Sequence, residues 1–204
     1  MAVITNFGVP TADDSGTTLM PKLQYRFRVS FNNIGDGGKT SEVTQNVIST
    51  SRPNLTHEEV VIDSYNSKMY LAGKHTWEPV TIVFRDDMNS NVIKQLGAQL
   101  NKQVDHADQA SSISGAAYKF ETVIETLDGA NGSVKPKTFD EWKLQGCFIS
   151  QVQYGDLNYA DSNMVQVTLT VRYDHAVHTI DTEDVLSKGK ASNDQGQTGA
   201  TSGS

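Results

Sequence analysis

Five histidines and a single cysteine are the side chains of this sequence best suited to metal binding or nucleophilic attack. Their surroundings argue against both. His57 in THEEV and His75 in HTWEP each stand beside carboxylates, but neighbouring residues of a strand point to opposite faces, which makes poor ligand geometry. His175 and His178 in DHAVH have the spacing of a metal pair on a helix; here they follow an alternating strand and lack a third ligand nearby. Cys147 in LQGCFIS is flanked by strand residues with no histidine in local reach, so a small core residue is the plainer reading than a nucleophile. DLNYAD and DGANG hold oxygen ligands at calcium-like spacing, yet both lack a closing glutamate and fall where hairpins must turn. Trp77 and Trp142 each open an alternating stretch, where a large ring closes the end of a core. There is no G-x-S-x-G elbow, phosphate loop or dinucleotide fingerprint. The expectation is a protein that is not an enzyme and holds neither metal nor cofactor.

The elements carrying these residues are mostly strands. KLQYRFRVSF alternates, with Leu23, Tyr25, Phe27, Val29 and Phe31 on one side, which predicts a half-buried strand. NNIGDGG supplies turn residues and SEVTQNVIST reads as a second, more polar strand, so the two predict a hairpin. From Leu55 to Thr76 the pattern is strand-like with too few apolar positions to lie over a core along its length. It reads as an extended hairpin arm, whose Glu59, Val60, Val61, Ile62, Tyr65, Asn66, Met69, Tyr70 and Leu71 are expected to carry contacts between subunits.

TWEPVTIVF resumes period two with Val80, Ile82 and Phe84, and Pro79 marks an edge or bulge. Asp86, Asp87, Asn89 and Ser90 offer helix caps. Val92, Ile93, Leu96, Leu100 and Val104 then recur at helical spacing, predicting one amphipathic helix with Lys94, Gln95 and Lys102 outward. HADQASSISGAA reads as a linker. AYKFETVIETL, FDEWKLQGCFISQVQYG and MVQVTLTVRYDHA are three more strands, the last two a hairpin. The expected organisation is an N-terminal arm over 1–20, a β domain over 21–181 and a flexible tail rich in Gly, Ser and Thr over 182–204.

At 204 residues and 37% hydrophobic, the chain can bury one sizeable core. Its 24 acidic and 17 basic side chains give a formal charge of −7, which opposes any surface built to grip phosphates. One cysteine excludes an intrachain disulfide framework and suits a reducing compartment. MAVITNFGVPTADDSG has no basic leader, and no run of about eighteen apolar residues occurs, so a soluble protein folded in the cytoplasm is expected.

In order, NSKMYLAGKHTWEPVTIVFRDD, the capped helix, YKFETVIE and LQGCFISQVQYGDLNYADSNMVQVTLTVRYD resemble the major tail tube protein of contractile-tailed bacteriophages. That family is similar in fold to the type VI secretion tube protein. The resemblance runs from about residue 20 to residue 178; the N-terminal segment, DGANGSVKPKT and the tail depart from it. It implies a mainly β fold, a β-sandwich or small barrel with one flanking α-helix. It also implies that copies close into hexameric rings, stacked into a hollow conduit for DNA ejection. The implied partners are further copies of the chain, a tail sheath protein, baseplate and tail terminator proteins, and genomic DNA in passage. The implied location is the virion tail, assembled in the host cytoplasm. An acidic wall would let DNA slide without sticking, and Glu42 on the second strand with Glu58 and Asp63 on the arm are candidates to line it. The tube of a type VI or related contractile injection system and a non-catalytic β-sandwich binding module are the alternative readings.

Overall fold

The structure is a computed structural model that describes residues 22–35, 40–128, 136–160, 162–180 and 183–186. The expected N-terminal arm, the centre of the DGANGSVKPKT loop and the tail beyond Leu186 lie outside the described residues. In chain order the elements are β1 (Phe27–Asn32), α1 (Thr40–Gln45), β2 (Val47–Thr50), β3 (Leu55–Ser64), β4 (Ser67–Trp77) and β5 (Val80–Arg85). Next come α2 (Asn91–Gln103), α3 (Gly115–Tyr118), β6 (Phe120–Leu127), β7 (Thr138–Tyr154), β8 (Gln166–Arg172), β9 (His175–Ile180) and β10 (Glu183–Leu186). All pairings between strands are antiparallel. The main sheet runs β1-β6-β7-β8-β5-β2, with β9 also on β7 and β10 on β9, while among the described residues β3 and β4 pair only with each other. The fold is therefore mainly β, with a long hairpin arm. Its path ends, β1 and β2, do not pair, so the sheet curls into an open sandwich instead of the closed barrel kept open as an alternative.

The strand that makes this possible is β7. Its first half, Thr138 to Cys147, pairs with β6 on one edge, and Asp140 to Gln145 pairs with β9 on the other. Its second half, from Phe148 to Tyr154, pairs with β8. Between the halves Gly146 takes φ +69°, where a Cβ would fall 2.3 Å from an Asp174 carboxylate oxygen, so a glycine is required at the bend. Asp174 in turn donates its backbone N–H to the Gln145 carbonyl and pairs with Lys119. Beyond the end of β6, the exposed edge of β7 is covered by a side chain. Gln103 accepts from the Ile149 N–H (2.9 Å) and donates to its carbonyl (3.1 Å), as a partner strand would.

The core fills the space between the two halves. Phe31 of β1 meets Phe84 of β5 with ring centroids 5.9 Å apart and Phe120 of β6 at 6.5 Å. Val29, Val80, Ile82, Leu144, Leu169 and Val171 complete it from alternate positions of their strands. Helix α2 closes one end with Val92 and Leu96 fully buried and Ile93 and Leu100 packed behind them, which matches the expected apolar stripe. The cap differs: Ser90 has left-handed backbone and makes no side-chain cap bond, while Asp87 Oδ1 accepts from the Asn91 N–H at 2.8 Å. Gln99, on the same face, is fully buried. Its amide oxygen accepts from the Gly35 N–H and its amide nitrogen donates to the Tyr118 carbonyl, tying the loop after β1 and helix α3 to α2.

Several expectations are corrected. The strand expected from Leu23 begins at Phe27; Leu23 to Arg26 form a turn and Tyr25 is exposed. The expected first hairpin does not form, because β1 pairs with β6 and β2 with β5. Half of the expected second strand is helix α1, and Glu42 lies in it, not on a strand. In that helix Val43 is fully buried in the core, and the strand begins only at Val47, whose partner is Phe84 of β5. Arg85 then fixes the end of α1 by donating to the Gln45 carbonyl at 3.2 Å. The expected linker holds a bridge between Val104 and Ser111 and the short helix α3, capped by Ser114. Gln95, expected outward, is half-buried. Residues 183–186, placed in the tail on composition, form β10 against β9.

Truncation of Leu96 to alanine is expected to cost about 2–5 kcal/mol, as for other fully enclosed leucines. Gln99→Leu is expected to cost about 1–3 kcal/mol for each backbone group it orphans. Denaturant melts of the two variants measure both, and wild-type stability in either would remove α2 from the core.

Candidate functional site

The arm stands apart from the sandwich as a two-stranded ribbon, with a rise of about 3.3 Å per residue along each strand. Cross-strand pairs Val60 with Leu71, Val61 with Tyr70, Ile62 with Met69 and Asp63 with Lys68 fix which side chains share a face. Period two then puts Glu58, Val60, Ile62, Met69 and Leu71 on one face, and Glu59, Val61, Asp63, Lys68 and Tyr70 on the other. The first face is aliphatic over four residues, each between 42 and 52% exposed. On the second, Lys68 and Asp63 form an ion pair of 3.7 Å between exposed side chains. At the tip Tyr65, with φ 49°, is wholly exposed beside Asn66. The structure thus brings all nine residues expected at a subunit contact into one ribbon. It places Glu58 at the base end of the aliphatic face and Asp63 near the tip of the other face.

At the base of that aliphatic face β4 passes close beneath β3. A Cβ on Gly73 would lie 3.0 Å from the Glu58 carbonyl oxygen and 3.3 Å from Val60, beside the register shift that follows His57. Below this point the ribbon is anchored by aromatic rings. His57 and His75 face each other across the strands (6.1 Å), His75 meets Trp77 edge-on (6.3 Å), and Trp77 packs on Tyr173 and His175 of the sandwich. Trp77 is buried, as a ring closing the end of a core should be. These histidines are packing and surface groups. His178 instead stacks on Trp142 with centroids 4.0 Å apart and bonds Asp140, which Lys22 also approaches at 3.5 Å. Among the described residues no group of three His, Cys, Asp or Glu is placed to hold a metal ion.

Two further surfaces have no signature in the sequence patterns. The loop from Gly155 to Val165, between β7 and β8, exposes Leu157, Tyr159 and Met164 around a concavity of about 710 Å³. The second is the seam between the path ends, a cleft of about 1140 Å³ whose walls come from residues 22–29 and 44–52, with Ile124 and Thr126 of β6 at its floor. Its apolar wall includes Phe27, Val29, Val47 and Ile48. Its cations differ in state. Arg28 is held in a bidentate pair with Glu125 (2.6 and 3.0 Å), which raises the guanidinium pKa further. Arg52 is exposed and, among the described residues, reaches only the Thr126 hydroxyl at 3.5 Å. The signal that could have found this cleft was the failure of β1 and β2 to pair, which the hairpin expectation hid.

No family model matches the sequence, and no curated protein matches it. Solved structures do. A chain of the anti-feeding prophage cap, which terminates that particle's tube, superposes with a TM-score of 0.60 at 16% identity, covering 83% of this chain and 97% of its own. A chain of the anti-feeding prophage baseplate gives 0.58 at 19%, covering 79% and 97%. A chain of the SPP1 tail tube gives 0.50 at 15%, covering 90% and 95%. The structural neighbours of this chain are thus tube proteins of contractile injection systems and phage tails, and the fold is theirs.

Cys147 is fully enclosed, and burial pushes its thiol up to about 11 from 9.0. The folded state therefore resists forming the thiolate, and that contribution to stability is lost as pH rises from about 9 toward 11. Native protein at pH 8 is expected to react with an aromatic disulfide reagent only after denaturant is added; rapid labelling of the folded chain would overturn the enclosed placement.

Proposed function

We propose that this protein is a structural tube subunit whose copies close into hexameric rings and stack into a hollow conduit. The observation that carries the reading is the arm: a ribbon with an aliphatic face whose edges pair with no other strand and which lies on no sheet among the described residues. An isolated two-stranded ribbon is marginal in water, so its faces and edges call for another chain. The tube-protein fold supports the same reading, and the baseplate neighbour belongs to an assembly solved with six-fold symmetry. The sheath, baseplate and terminator proteins of such a particle are the partners this role entails.

For the cargo we infer DNA, because a net charge of −7 on each copy keeps a polyanion moving instead of holding it. The channel carboxylates are not those of the arm's aliphatic face: Glu58 shares that face with Val60 and Ile62 and goes with them to an interface. A second reading is favoured by the TM-scores of two chains of an extracellular contractile injection system, 0.58 and 0.59 against 0.50 for the phage tail tube. In it the conduit belongs to a contractile injection system.

Negative-stain microscopy of the purified protein over rising concentration is expected to show rings and tubes with a central hole. Deleting Glu59 to Tyr70 is expected to leave a folded monomer that forms neither, because the ribbon reaches the sandwich core only through Leu55 and Trp77 at its base, outside the deletion. Tubes from the deletion variant would overturn the role of the arm, and a wild type that stays monomeric at every concentration would overturn the tube reading. Assembled tubes are also expected not to retain duplex DNA at low salt; retention would contradict a repelling wall.

A further inference from the structure

We propose that the arm of one copy docks, aliphatic face first, into the seam between β1 and β2 of another copy, with Glu58 of the arm meeting Arg52 of the seam. This rests on the tube reading and adds to it the receptor for the arm. Three observations on independent parts of the chain converge. The seam is the place where the sheet path stops: among the described residues no strand pairs with the outer edges of β1 and β2, α1 lies against β1, and the cleft between them has an apolar wall of Phe27, Val47 and Ile48. The arm offers the matching shape, a ribbon whose Val60, Ile62, Met69 and Leu71 share one face and whose edges pair with no other strand among the described residues. An extended ribbon laid along a free edge satisfies backbone groups on both chains while its side chains fill the pocket beneath.

Charge fixes the orientation. Glu58 and Glu59 form no ion pair among the described residues, and they sit at the base end of the ribbon. Of the cations that line the cleft, Arg52 has no carboxylate partner among the described residues, whereas Arg28 is already neutralised by Glu125 and Lys22 reaches Asp140; Arg26 beside them is held by the Asp128 carbonyl. Of the two arm carboxylates, Glu58 lies on the face that turns toward the wall. The contact is head-to-tail, since the arm and the seam are different surfaces of the same chain, and contacts of that kind generate rings or open stacks.

A photo-crosslinking maleimide on Met69→Cys tests the receptor directly, because the enclosed Cys147 stays unlabelled in the folded protein. Irradiated assemblies of mixed light and heavy isotope protein are expected to give crosslinks between copies, from the arm into residues 22–29 or 44–52. Crosslinks into the loop 155–165, into another arm or into any other surface would overturn the proposal while leaving the tube reading intact. The same reagent on Ile48→Cys is expected to find the arm of another copy; capture of residues 1–21 would assign the seam to the leading segment of the chain instead and overturn it. Arg52→Glu is expected to raise the concentration needed for assembly about tenfold, and adding Glu58→Arg to restore it. Both positions are exposed, and an unchanged melting temperature confirms that folding is intact. Assembly of Arg52→Glu at the wild-type concentration, or no rescue by the reversed pair, would sink the docking, and a wild type that never assembles would sink it together with the tube reading.

Discussion

Seventeen residues of β7 must serve two layers, and a strand can do that only if it turns between them. The turn is made at Gly146, whose left-handed backbone leaves room for Asp174 where any side chain would collide. Much of the sandwich follows from this bend. Once the two halves of β7 face different ways, β6 and β1 extend one layer while β8, β5 and β2 extend the other, and the phenylalanines of β1, β5 and β6 meet between them. The edge left uncovered past the end of β6 needs a donor and an acceptor at one residue, which the amide of Gln103 supplies from α2. A path that starts at β1 and ends at β2 after such a bend brings its ends near each other without joining them, and the seam is the result.

The arm obeys a different economy. Its four aliphatic residues are about half exposed already, so complete burial would gain on the order of 1 kcal/mol each. A contact worth about 4 kcal/mol corresponds to a dissociation constant near millimolar. One arm on one seam is thus a weak bond, useless for a dimer but adequate where every subunit gives one arm and receives another. In the proposed tube, closure of a ring would turn the last contacts into intramolecular ones, and stacking would multiply them further. Weakness of the single contact also keeps free chains from associating before a ring can close.

Period-two patterns made most strands legible. β5, β6, β7 and β8 lie where their alternation puts them, and the arm was readable from what it lacked, an apolar face large enough for a core of its own. The stripe Val92, Ile93, Leu96 and Leu100 located α2 for the same reason. What the patterns could not carry were features decided at a distance. SEVTQ has strand-forming residues, but it forms a turn of helix that buries Val43 in the core and is held at its end by Arg85 from β5. Gln99 and Gln103 read as ordinary polar helix positions, since their value lies in backbone groups of Gly35, Tyr118 and Ile149 far along the chain. The seam was invisible because it depends on which strands pair, and local alternation is silent on that point.

An apolar ribbon with free edges is a hazard as well as a connector, because two such ribbons can stack on each other. The placement of charge on this one discriminates between the two outcomes. Pressing two aliphatic faces together would bury Glu58 carboxylates against the other arm's Val60, Ile62 or Met69, and a desolvated, unpaired carboxylate costs more than the aliphatic contact returns. The opposite face carries Glu59 and the Asp63 and Lys68 pair, which would also have to be stripped of water. At the proposed seam contact the same Glu58 would meet the Arg52 guanidinium, which has no carboxylate partner among the described residues. The acidic residue that spoils arm-on-arm stacking is therefore the one that selects the seam, so a single side chain both forbids the dead-end dimer and orients the contact that can propagate.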